Sequence, residues 1–173
     1  VEHILTGVDH LAFVLLLLIL IGGGRRLVAA ITAFTVAHSL TLALTALGLV
    51  RVHPASVEAL VALSIVFLAV ELVHARAGHP GLTSQYPWLV PFAFGLLHGF
   101  AFAGALADIG LPRDAISLSL LLFNAGVEVG QLVFITAVFA VGWLASQSGW
   151  QLPAWTRLIP PYAVGGFAAS WFV

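Results

Sequence analysis

The sequence predicts an all-α polytopic membrane protein, a bundle of about six transmembrane helices. Its 173 residues are 61% hydrophobic and 8% charged, with a mean hydropathy of +1.12, whereas soluble domains carry roughly 25% charged residues. Apolar runs of about 20 residues, enough to cross a hydrocarbon core of roughly 30 Å, recur along the chain. Gly, Pro, Arg and Asp stand between the runs, where helices end. In lipid a backbone must satisfy its own hydrogen bonds, so each run is read as helix rather than as loop or lone strand.

Taken in order, the first span covers about 4–22 and stops at Gly22-Gly23-Gly24. The second, 27–48, follows Arg25 and Arg26; the third, 56–76, follows Pro54 and closes at Arg76. The fourth, 88–108, begins beyond a polar stretch containing His79, Pro80 and Gly81. The fifth, 114–145, is long enough to tilt or kink. The sixth, 157–173, follows Arg157. All six form one transmembrane domain, 1–173. Four arginines (Arg25, Arg26, Arg76, Arg157) fall on one side and two (Arg51, Arg113) on the other. The positive-inside bias therefore puts both termini outside, in what we expect to be a bacterial inner membrane. The absence of methionine leads us to expect a processed or trimmed chain that once carried a signal peptide or an N-terminal extramembrane domain.

A formal net charge of −1 and the lack of any basic tract exclude nucleic acid as a partner. No Gly-x4-Gly-Lys-Ser/Thr loop is present, so this chain has no ATP site. With no cysteine, the ligand chemistry left is imidazole, carboxylate and amide. The partners expected are the lipid bilayer, a metal ion and a second copy of the chain.

Ionisable residues inside apolar runs are expensive in a bilayer and mark functional positions. Metal-ligand types cluster first at His3, Asp9 and His10. His38 lies mid-span in Ala-Phe-Thr-Val-Ala-His-Ser-Leu-Thr, beside Ser39, and Glu71 closes Ser64-Ile-Val-Phe-Leu-Ala-Val-Glu71. His98 is flanked by Gly95 and Gly99 at the spacing that lets helices approach closely. Asn124, Glu128 and Gln131 recur at i, i+4 and i+7, one stripe of the fifth span. The metal-ligating set is therefore His3, Asp9, His10, His38, Glu71, His98 and Glu128, with Ser39, Asn124 and Gln131 in support. For any one of these residues, packing by a hydrogen bond to a neighbouring helix is an equal reading. Glu2, His53, Glu58, His79, Asp108 and Asp114 fall at loops or span ends and read as solvated or capping groups.

The segments Ala33-Phe34-x3-His38 and Ala93-Phe94-x3-His98, each followed by a span carrying Val-Glu (Val70-Glu71, Val127-Glu128), read as a degenerate two-span repeat. Depth counted along each span puts His10 in the outer third, His38 and His98 near the middle and both glutamates towards the inner half. That is a ladder across the bilayer, which favours permeation over a single compact metal site.

These motifs resemble the HupE/UreJ membrane proteins, a family associated with hydrogenase and urease gene clusters and regarded as nickel permeases. Its His-x5-Asp-His signature is complete in His3-Ile-Leu-Thr-Gly-Val-Asp9-His10, and its Phe-His-Gly-x-Ala-x-Glu signature is partial in Leu97-His98-Gly99-Phe100-Ala101-Phe102-Ala103. Ala37-His38-Ser39-Leu40-Thr41-Leu42 and Phe123-Asn124-Ala125-Gly126-Val127-Glu128 are similar to runs of a second, less characterised branch. The resemblance covers essentially the whole chain and implies a secondary transporter for a divalent transition metal, nickel or zinc, carried as substrate or held as a bound ion. Ala103 stands where the family's signature has a glutamate, which weakens nickel as the particular ion. Two other functions use the same residues: an intramembrane zinc-type hydrolase with a metal-bound water, and a metal-free assembly subunit.

Overall fold

A computed structural model describes residues 7–109, 116–147, 156 and 158–170, the side chains of 102–109 and 116–117 excepted. Among these residues the chain is helical and strand-free. The helices are α1 (Val8–Ile21), α2 (Arg25–Ala46), α3 (Pro54–Arg76), α4 (Leu82–Gln85), α5 (Leu89–Ile109), α6 (Ile116–Gln147) and α7 (Ile159–Ala169). α2, α3 and residues 118–147 of α6 are long and apolar enough to cross a membrane. α1, with 14 residues, and α7, with 11, are shorter, and the outer ends expected for the first and last spans lie outside the described residues. The one-turn α4 lies between the third and fourth expected spans, in a stretch with no helical periodicity to announce it.

Local chemistry sets the helix ends. α1 and α2 are joined by Gly22-Gly23-Gly24, with φ of 77° at Gly22 and 85° at Gly24. α2 closes on Gly48 (φ 72°), whose N–H donates to the Thr45 carbonyl while Leu49 N–H donates to Leu44. α3 closes the same way on Gly78 (φ 89°), with Gly78 N–H to Ala75 and His79 N–H to His74. Both are Schellman caps, whose left-handed residue favours glycine. α3 starts at Pro54, where a missing N–H costs nothing.

The most extensive interface joins α2 and α5. A Cβ at Gly95 would lie 2.5 Å from the Phe34 carbonyl oxygen, and one at Gly99 would collide with the His38 carbonyl and the Thr41 hydroxyl. Only glycine lets the two backbones come this close. α1, α3 and α7 complete the core, whose buried centre includes Phe13, Leu16, Leu17, Phe34, Ile65 and Leu68. On α6, by contrast, Leu118, Leu121, Leu122, Val133, Phe139 and Trp143 are exposed. An outer face of large apolar side chains suits hydrocarbon and would be costly in water.

Candidate metal centre

The first turn of α1 carries Asp9 and His10 to the inside of the bundle. His10 is 3% exposed and Asp9 27%, with Asp9 Oδ1 3.4 Å from His10 Nδ1. His10 lies eleven residues before the end of α1, and His38 lies thirteen after the start of α2. At 1.5 Å per residue, that is about 17 and 20 Å from the shared turn. The two histidines are therefore at nearly the same depth. Their ring centroids are 5.7 Å apart, and those of His10 and His98 are 5.0 Å apart. The expected ladder of imidazoles is instead one cluster, because the polar end of α1 sits level with the middles of α2 and α5.

Each imidazole on the long helices has its hydrogen fixed by a neighbour. Ser64 on α3 donates its hydroxyl hydrogen to the Val61 carbonyl at 2.6 Å, and its Oγ lies 3.0 Å from His98 Nε2. With that hydrogen committed, Oγ accepts from the ring, so Nε2 carries the proton and Nδ1 the lone pair. His98 is fully buried, and its Nδ1 has no hydrogen-bond partner among the described residues. His38 Nδ1 faces Asn124 Oδ1 at 3.4 Å. An amide oxygen only accepts, so the lone pair of His38 is on Nε2. Phe13 and Phe34 pack against His98 at 5.1 and 5.2 Å between ring centroids, which holds its plane and dries that side of the site.

Asp9, His10 and His98 each offer one ligand atom, and these atoms lie within 4.8 Å of one another. Two imidazole nitrogens and a carboxylate oxygen suit zinc, nickel, cobalt or copper(II). Ligand bonds of about 2.0–2.2 Å require the three to draw in slightly around an ion. Ser64 and Asn124 play the part of outer hydrogen-bond partners, which set the tautomer and aim of metal-binding histidines. A divalent ion held by neutral imidazoles and one carboxylate keeps a net charge of about +1 in a low-dielectric interior, which disfavours permanent residence.

The other sequence candidates lie elsewhere. Glu71, near the opposite end of α3, accepts the Thr83 N–H with both oxygens, at 3.0 and 3.3 Å, and packs on Gly81. It ties α3 to α4 and is not among the clustered ligand atoms. Glu128 is half-buried one turn along α6 from Asn124, also outside the cluster. Gln131 is buried and accepts from Thr35 Oγ1 at 3.3 Å, joining α6 to α2. Ser39 Oγ bonds back to the Thr35 carbonyl at 2.6 Å, within its own helix. His3 and the side chain of Ala103 lie outside the described residues. Ser64 is the participant the sequence reading passed over; its only signal was a lone hydroxyl in an apolar run, two turns before Glu71.

Apolar helices, glycine-mediated packing and a buried imidazole–carboxylate group define an all-α integral membrane protein with a candidate transition-metal centre. The chain belongs to the HupE / UreJ protein family, whose pattern it matches over residues 1–173. No curated protein and no solved structure matches it.

Proposed function

We propose that this protein is a permease for a divalent transition-metal cation such as nickel, with Asp9, His10 and His98 as its intramembrane binding site and His38 as a further ligand. The reading rests on the convergence of three ligand atoms within 4.8 Å, from two helices, inside the bundle. A transport site must be favourable enough to draw an ion out of water and weak enough to release it. One carboxylate among neutral imidazoles meets both demands. Membership in the HupE / UreJ family adds support through its resemblance to nickel permeases. In this reading six helices cross the inner membrane with both termini outside, and ion movement follows a gradient or a proton, since the chain has no nucleotide loop.

Proteoliposomes loaded with a metal-sensitive dye test the proposal. Nickel or zinc influx should appear with the intact protein and vanish with His10→Ala and with His98→Ala. The compactness of the cluster gives a second reading some weight, that of an intramembrane metal hydrolase whose bound water occupies the fourth position. Tight stoichiometric metal without flux would favour the hydrolase, and flux without retained metal the permease.

A further inference from the structure

A cavity of about 370 Å³, lined by Asp9, Glu58, Val61 and Ala101, lies on the α2–α3 loop side of the metal centre. We propose that this cavity is a cation-selecting vestibule through which a hydrated divalent metal reaches Asp9, and that Glu58 is its recruiting residue. The inference rests on the metal-site reading and adds a route and a residue to it.

Four observations carry it. Asp9 belongs both to the cavity wall and to the ligand cluster, so the cavity reaches a residue of that cluster. Beyond Asp9 is the fully buried His98, whose Nδ1 is without a hydrogen-bond partner within that cluster. Glu58, five residues into α3, is exposed, so its carboxylate stands where an arriving ion meets the cavity. The volume also fits. Six waters at about 30 Å³ each occupy roughly 180 Å³, so the cavity admits an ion with its inner hydration shell. Two carboxylates on apolar walls attract cations and repel anions, and low-dielectric walls focus that field.

The opposite side is closed. Below the histidines, Phe13, Leu16, Leu17, Phe34, Ile65 and Leu68 are each no more than 1% exposed. The arginine distribution puts this sealed half towards the cytoplasm and the vestibule towards the outside, so the structure is open to the compartment from which uptake would start. Glu58 also offers a carboxylate near a site whose signature glutamate is replaced by Ala103.

The chain contains no cysteine, so single introduced cysteines report cleanly. Ala101→Cys is placed in the protein in liposomes and treated from outside with membrane-impermeant thiosulfonates, one cationic and one anionic. We expect rapid labelling from the vestibule side, faster for the cationic reagent by about tenfold. Adding Glu58→Gln should reduce that preference several-fold, and Leu68→Cys should stay unlabelled. Equal rates for the two reagents, a preference unchanged by Glu58→Gln, or no labelling of Ala101→Cys in protein that retains its native melting profile would each overturn the proposal. The readout needs no metal, so it separates the two readings. Selective labelling without metal uptake leaves the vestibule standing and removes the permease, whereas uptake without selective labelling does the reverse. In uptake assays, Glu58→Gln should raise the half-saturating metal concentration several-fold and leave the maximal rate unchanged.

Discussion

The two halves of the bundle, divided at the level of His10, His38 and His98, are built on opposite principles. Towards the α2–α3 loop, a cavity lined by Asp9 and Glu58 opens beside a small apolar cluster of Leu42 and Leu120, and Asp9 is 27% exposed. Towards the Gly22–Gly24 turn, the interior is close-packed around Phe13, Phe34 and Leu68, and its buried polar groups are tied off in pairs, Thr35 with Gln131 and Glu71 with the Thr83 N–H. The same helices supply both halves, so side-chain choice rather than architecture makes the difference. On the proposed reading, a metal held at the boundary would have the cavity as its approach on one side and the packed apolar residues as a plug on the other. The plug would have to part for an ion to pass, and packed cores change between discrete arrangements rather than stretch.

Several perturbations would break or sharpen this division. The largest effect is expected from Gly99→Leu, which drives a side chain into the His38 carbonyl and Thr41. Overpacking typically costs about 1–3 kcal/mol, and here it also separates α2 from α5. Thermal unfolding in detergent should show a lower midpoint together with loss of metal binding. Next come His10→Ala and His98→Ala, which remove ligands. Calorimetric titration with nickel or zinc should show affinity falling by more than about 100-fold, since even outer-partner changes cost 10–100-fold. Ser64→Ala falls in that 10–100-fold range and should lower stability by about 1–3 kcal/mol, because the buried Nε2–H of His98 loses its acceptor.

Protons compete with metal for the imidazole lone pairs, so affinity should fall as pH is lowered from 7.5 to 5.5 with no gradient imposed. The smallest effect at the metal is expected for Glu71→Ala. It should leave affinity unchanged but lower stability by about 1–3 kcal/mol, the cost of an unsatisfied buried N–H at Thr83. A loss of metal affinity in that variant would extend the polar centre through the plug and dissolve the division between the halves.

The helical class was legible because a bilayer imposes a length and a composition that survive in the bare sequence. α2, α3, α5 and α6 begin and end within two residues of the expected spans, the early end of α2 coming from its cap at Gly48. The shared Ala-Phe-x3-His pattern pointed to related placements of His38 and His98, and α2 and α5 do bring both to the centre. The depth of His10 was misjudged because it was measured along its own span. Counting from the Gly22–Gly24 turn, a reference common to α1 and α2, would have set it level with His38. The partner of Glu71 was not legible, since it depends on how the 77–88 connection folds back. Ser64 was hidden because a single hydroxyl in an apolar run has no period to reveal it.

α6 has 32 residues and is about 48 Å long, well beyond a hydrocarbon core of roughly 30 Å. Such a rod must lean or protrude, and how far it leans depends on how thick the surrounding lipid is. Asn124, which orients His38, rides on this helix. Through that bond, a change in bilayer thickness that tilts α6 would bear directly on His38.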